Sequence, residues 1–274
     1  MNTEDISELI YKRLKEQEDT LRLQFDNSKN SIGYFYLDNI LPEALVNQIG
    51  EVFPKKEEMN QKKSLREFKH VAAQMDQYNP LLEKVIYAFQ HDRIVKLVGK
   101  ICGIEQLEPD EHLYAGGISL MAEGNFLNPH LDNSHDKNRD KWRVLNLLYY
   151  VTPNWEDHYG GHLEVWPNGL EDDQITLHSR FNRLVVMATH QKSWHSVSPV
   201  TFNGERCCIS NYYFSDIPLK ASDRFHVTSF RARPGQRIKD MILGVDSFIR
   251  MNIRKVFKKG IKENPHVYNK EKKD

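Results

Sequence analysis

Three side chains, far apart in this sequence, could together hold a metal ion: His130, Asp132 and His195. In an extended segment residues i and i+2 project to the same side. His130 and Asp132 of the triplet HLD therefore offer an imidazole nitrogen and a carboxylate oxygen to one point. His195 follows 63 residues after Asp132, just past the apolar run 183–188, a separation expected to put it on the opposite wall of a β-sandwich. Two imidazoles and one carboxylate on one face of a metal leave its other positions open. That suits a non-haem Fe(II) handling a co-substrate and O₂, and zinc is less at home with so many open positions. HxD alone is a weak pattern, and two rivals stand nearby. His162-Leu163-Glu164 has the same form and opens a strand after Gly160-Gly161. His135-Asp136 lies in the polar run NSHDKNRDK, which reads as a solvated loop or, at most, a substrate-facing one.

A second group of residues points to an acidic co-substrate. Asn203-Gly204 signals a turn, so Arg206 begins the strand after His195. A guanidinium grips a carboxylate through two parallel hydrogen bonds. Ser210, four residues on, shares the strand face of Arg206. Tyr150 in VLNLLYYV alternates with Asn146 and Leu148 and is expected to reach the same pocket.

These residues must be carried by strands. From about residue 112 to 214, short apolar or β-branched segments (114–121, 143–151, 162–166, 174–178, 183–188 and 206–214) are separated by Gly, Pro, Asn and Asp, the pattern of a sandwich or barrel. Helical periodicity precedes them over 3–25 and 80–103, and a short strand is expected at 34–37. The charged stretch 55–70 reads as a solvated loop or helix face. After Pro234-Gly235 an apolar stripe from Ile238 to Val256 predicts another helix. The class is α+β: N-terminal helical and strand elements (1–110) supporting a β core (111–216), then a C-terminal extension (217–274).

Composition narrows the function classes. Lys+Arg and Asp+Glu both number 38, so nothing global suggests nucleic-acid binding. Cys102, Cys207 and Cys208 have no CxxC spacing, and no apolar leader or membrane-length run is present. A cytoplasmic protein is expected.

The segments FLNPHLDN, WRVLNLLYYVTPNWEDHYGGHLEVWPNG and LVVMATHQKSWHSVSPVTFNGERCCISNYYFSD resemble the catalytic core of prolyl 4-hydroxylase-type 2-oxoglutarate oxygenases, including the oxygen-sensing prolyl hydroxylases. The resemblance covers roughly residues 110–216 and implies a double-stranded β-helix, or jelly-roll, of cupin-like form. It implies that His130, Asp132 and His195 bind Fe(II), and that Arg206 with Tyr150 binds 2-oxoglutarate. It also makes His162 and Glu164 scaffold, and brings O₂ as co-substrate and ascorbate as an accessory reductant. Where the family often has a tyrosine nine or ten residues before the first histidine, this chain has Leu120 and Met121.

The implied activity is hydroxylation of an unactivated C–H, on a peptide or protein residue such as proline. A small-molecule or biosynthetic substrate is the alternative, and a non-catalytic cupin-like metal-binding module the third reading. The polar loop 133–141 is the expected lid, with Trp155 and Tyr212 at the entrance and Leu131, Leu147 and Trp194 limiting water. From Arg250 onward nine Lys/Arg face three acids. The stripe of this basic helix is expected to pack on the domain, with peripheral docking on an anionic membrane or an acidic partner as the alternative.

Overall fold

The computed structural model describes residues 1–257 and 267–269. Two helices open it. In α1 (Thr3–Glu16) Asn2 and Asp5 close a reciprocal capping box, and Ile6, Ile10 and Leu14 are fully buried along one face. Gln17 separates it from α2 (Glu18–Ser28), so the periodicity over 3–25 resolves into two helices. After β1 (Tyr34–Asp38) and α3 (Glu43–Glu51) comes a hairpin, β2 (Asn60–Lys63) and β3 (Glu67–Ala72). Then α4 (Pro80–Phe89), capped by Asn79 with proline in its first turn, leads to α5 (Asp92–Cys102), which ends on Gly103 in the left-handed region.

The remaining strands are β4 (Glu108–Pro109), β5 (Gly117–Ala122), β6 (Phe126–Leu131), β7 (Trp142–Tyr150), β8 (Leu163–Val165), β9 (Ile175–Leu177), β10 (Arg183–Ala188), β11 (His195–Val197), β12 (Glu205–Ser215) and β13 (Ser229–Phe230). They pair antiparallel in the order β1-β10-β7-β12-β5-β3-β6-β11-β8-β9, with β2, β4 and β13 added at β3, β12 and β6. One strand links the two walls. His70–Ala72 of β3 pair with β5, while Glu67 and Phe68 pair with β6. The curled antiparallel sheet with helices against it is the jelly-roll expected. Its main core lies between α1–α5 and the outer face of β1, β5, β7, β10 and β12, where Tyr149, Tyr213 and Phe89 are fully buried. The inner face is left to the site.

Two expectations are corrected. Within 55–70, Lys56–Glu58 form an exposed 3-10 turn, as a solvated stretch should, but Asn60–Lys63 and Glu67–Ala72 form the β2–β3 hairpin, in which β2 is exposed and β3 is an interior strand. The last helix, α6 (Arg237–Val256), does not bury its apolar stripe. Ile238, Met241 and Phe248 are more than 60% exposed, and the helix meets the domain through Leu243, Asp240, Asp246 and Ser247.

Candidate metal centre

His130 is the penultimate residue of β6, His195 begins β11, and the two are direct register partners on neighbouring antiparallel strands. The expectation of opposite walls is thus corrected: the histidines face each other across one strand pair, ring centroids 4.0 Å apart. Asp132 follows the end of β6. Its Oδ1 lies 3.7 Å from His130 Nε2 and its Oδ2 3.7 Å from His195 Nε2. One donor atom from each of the three residues falls within 4.8 Å of the others, the sole such His/Cys/Asp/Glu group among the described residues.

Hydrogen bonds set the tautomers. His130 Nδ1 donates to the Asn128 carbonyl at 3.0 Å and His195 Nδ1 donates to the Ser193 carbonyl at 2.9 Å, so both Nε2 lone pairs face the shared point. Burial, with the neighbouring His195, pushes His130 down to about 3 and keeps it neutral, as a ligand must be. For Asp132, burial pushes upward, but His195, Arg143 and His130 outweigh it and hold the carboxyl below its ordinary range. Its Oδ2 is buried with no hydrogen-bond partner. A carboxylate oxygen left so beside two inward-facing imidazole lone pairs fits a divalent cation.

The triad opens on a cavity of about 110 Å³. Arg206 lines it from β12, 4% exposed, with its Nε unpartnered. Ser210 lines it as well. Tyr150 does not: it lies behind Arg206, whose guanidinium carbon is 5.3 Å from the ring centre, and its hydroxyl is buried without a partner. Gly160 and Gly161, at φ of +75° and +70°, explain the glycine pair. A Cβ on Gly161 would stand 3.1 Å from Arg206 Cδ, so its absence leaves room for the arginine stem.

His162 and Glu164 are not in the cluster. Ser179 Oγ and the Asp157 carbonyl occupy both ring nitrogens of His162, and Ser196 Oγ and Arg233 bind Glu164. His135 is not solvated surface either. It is 5% exposed and stacks on Phe225 at 5.1 Å. Met121 lines the cavity and is the register partner of Arg206, whereas Leu120 is buried in the helix-side core. The cavity's apolar lining includes Leu127, Leu148, Leu163 and Val197; Leu147 turns to the opposite core. Tyr212 lines the cavity, but Trp155 packs with Tyr159 and Phe202 away from it.

Four residues near the triad were missed. Arg143 Nη1 lies 3.8 Å from Asp132 Oδ1, and its guanidinium covers the Tyr212 ring. Phe230 of β13 stacks on His130, 5.1 Å between centroids. Lys69 lines the cavity from β3, paired with Glu67. Asn146 also lines it, its Oδ1 unpartnered. The alternation Asn146-Leu148-Tyr150 signalled that last residue; nothing local in the sequence signalled the other three.

A jelly-roll whose inner face gathers two histidines, one carboxylate and a buried arginine defines the class of non-haem iron oxygenases. Residues 116–214 match the family model of the 2OG-Fe(II) oxygenase superfamily. That segment belongs to the superfamily, and the protein is an oxidoreductase that uses Fe(II) and 2-oxoglutarate. No curated protein matches the chain by sequence. Solved structures share the fold. A prolyl-4-hydroxylase of Pseudomonas putida is 19% identical at a TM-score of 0.53, covering 70% of this chain and 97% of its own. A prolyl hydroxylase of Trichoplax adhaerens, in complex with a hypoxia inducible factor oxygen degradation domain peptide, is 20% identical at 0.50, covering 73% and 92%. SnoN, an alpha ketoglutarate dependent epimerase from nogalamycin biosynthesis, is 13% identical at 0.51, covering 81% and 89%.

Proposed function

We propose that the protein hydroxylates an unactivated C–H of a peptide or protein residue such as proline, with His130, Asp132 and His195 holding Fe(II) and Arg206 binding the distal carboxylate of 2-oxoglutarate. One observation carries the site assignment: three donor groups aim at one point, and a buried, under-partnered arginine opens on the same cavity. When bound, iron with 2-oxoglutarate and O₂ supplies oxidative decarboxylation to succinate and CO₂, coupled to hydroxylation.

The chain's residues bind and orient. The Nδ1 bonds of both histidines fix their rings before any ligand arrives, so little reorganisation accompanies binding. Arg143 balances the carboxylate of Asp132 from the side away from the cavity. Arg206 presents its donors from a strand, with Ser210 as a neighbouring hydroxyl and Tyr150 supporting the guanidinium from behind. Leu127, Leu148, Leu163 and Val197 keep water from the space between. The loop 133–141 follows directly on Asp132; Arg139 over Phe225 and the His135–Trp142 bridge hold it where a substrate would enter.

The prolyl hydroxylases of shared fold, one of them carrying a peptide, support the peptide reading; SnoN supports the second, a small biosynthetic intermediate. The test is 2-oxoglutarate turnover, measured as succinate, with proline-containing peptides and with a metabolite panel. Stimulation by a peptide that gains one oxygen atom establishes the first reading. Stimulation by metabolites alone replaces it with the second.

A further inference from the structure

A surface helix of a globular domain normally turns its apolar stripe to the core. Helix α6 does the reverse. Its acids, Asp240 and Asp246, face the domain and pair with Arg231 and Arg66; Ser247 Oγ accepts from the Phe230 amide, and Leu243 is its one fully buried apolar side chain among the described residues. The opposite face carries Ile238, Met241, Ile242, Val245, Phe248 and Ile249, each 46% to 76% exposed. At helical geometry these six form a continuous arc of about 120°, about 16 Å long. Six large apolar side chains on one exposed face mark an interaction surface.

Charge narrows what covers it. No acid lies on the exposed face, because both acids of α6 are engaged beneath it. Exposed Arg237 and Lys255 flank the arc near its two ends, and the sequence continues with Lys258, Lys259 and Lys262 against Glu263. A second copy fits less well: two-fold pairing of the antiparallel arcs would bring Arg237 of one copy within about 8 Å, along the axis, of Lys255 of the other at both ends, with no acid on the face to offset them. Among the described residues no helix is long and apolar enough to cross a membrane, so attachment would lie in the surface plane. We infer that α6 docks the protein on an anionic lipid surface, its apolar arc entering the headgroup–acyl boundary and its basic flank meeting the lipid charge. This inference is independent of the substrate reading. The helix packs on β13, whose Phe230 stacks on His130, so one element supports both docking face and metal centre.

The experiment is flotation of the full chain with vesicles of phosphatidylcholine alone and of equal parts phosphatidylcholine and phosphatidylserine, with sedimentation velocity in parallel. The chain is expected to float with the mixed vesicles, weakly with the neutral ones, and less as salt rises. Ile242→Glu with Phe248→Glu should reduce binding by at least about tenfold, and Arg237→Glu with Lys255→Glu should reduce it less. Both variants should keep the melting temperature and the 2-oxoglutarate turnover, because the altered side chains point away from the domain. Absence of flotation overturns the inference, as does flotation that neither variant lowers. A dimer that the Ile242/Phe248 variant dissolves, without vesicle binding, would assign the face to a second copy instead.

Discussion

His130-Leu131-Asp132 and His162-Leu163-Glu164 have the same form, both are buried but for a half-buried Asp132, and they end in opposite chemical states. In the second triplet Ser179, Asp157, Ser196 and Arg233 engage both ring nitrogens and the carboxylate. In the first, each histidine spends one nitrogen on a backbone carbonyl and turns the other inward, and Asp132 keeps an oxygen without a partner. Buried polar groups are normally satisfied. On the proposed reading, the triplet that breaks this rule takes its partner from outside the chain, and the satisfied triplet is framework.

The largest effect follows directly. His130→Ala or Asp132→Ala should abolish Fe(II) binding and succinate formation while the melting temperature of the metal-free protein stays near its original value. Next is Arg206→Ala. Losing two charge-assisted hydrogen bonds, about 3 kcal/mol together, should raise the KM for 2-oxoglutarate by roughly two orders of magnitude and leave metal affinity intact. The framework triplet should answer the other way. Glu164→Gln unpairs Arg233 and should cost about 2 kcal/mol, roughly 5 °C in Tm, with metal affinity unchanged. If Glu164→Gln instead removed metal binding, the comparison would fail.

Two smaller effects sharpen it. Arg143→Gln withdraws the charge beside Asp132 and should weaken metal affinity by about tenfold. The last is pH. Burial pushes His135 down to about 4 and also lowers His162. The unfolded chain, with histidines near about 6.5, binds more protons below that pH than the folded chain does. Stability should therefore be full above about 6.5 and fall as pH drops towards about 4, with His162→Gln flattening part of the slope in a series of thermal melts.

Much of the site was legible because strand periodicity is strict. The i, i+2 rule put His130 beside Asp132 and the Asn203-Gly204 turn placed Arg206 on β12; the 146-148-150 alternation, read as bringing Tyr150 to the pocket, holds for Asn146 and Leu148 but not for Tyr150. The run 183–188 matches β10 at both ends. What stayed hidden depends on partners remote in the chain. The β2–β3 hairpin has almost no apolar alternation and owes its pairing to β5 and β6. The separation of His195 from Asp132 contains no register, so its position directly opposite His130 had to come from the folded sheet. Periodicity in α6 shows that a stripe exists but not which way it turns. Arg143 is just beyond an acidic and basic loop, where a surface residue would be expected; only its place beside Asp132 gives it meaning.

The most direct test is a crystal of the full chain grown with a divalent metal and a 2-oxoglutarate analogue, read by anomalous scattering at that metal's absorption edge. A peak about 2.1 Å from His130 Nε2, His195 Nε2 and one Asp132 oxygen, with the analogue's far carboxylate on Arg206, is the predicted result. A peak at His162 and Glu164, or none between β6 and β11, would contradict it.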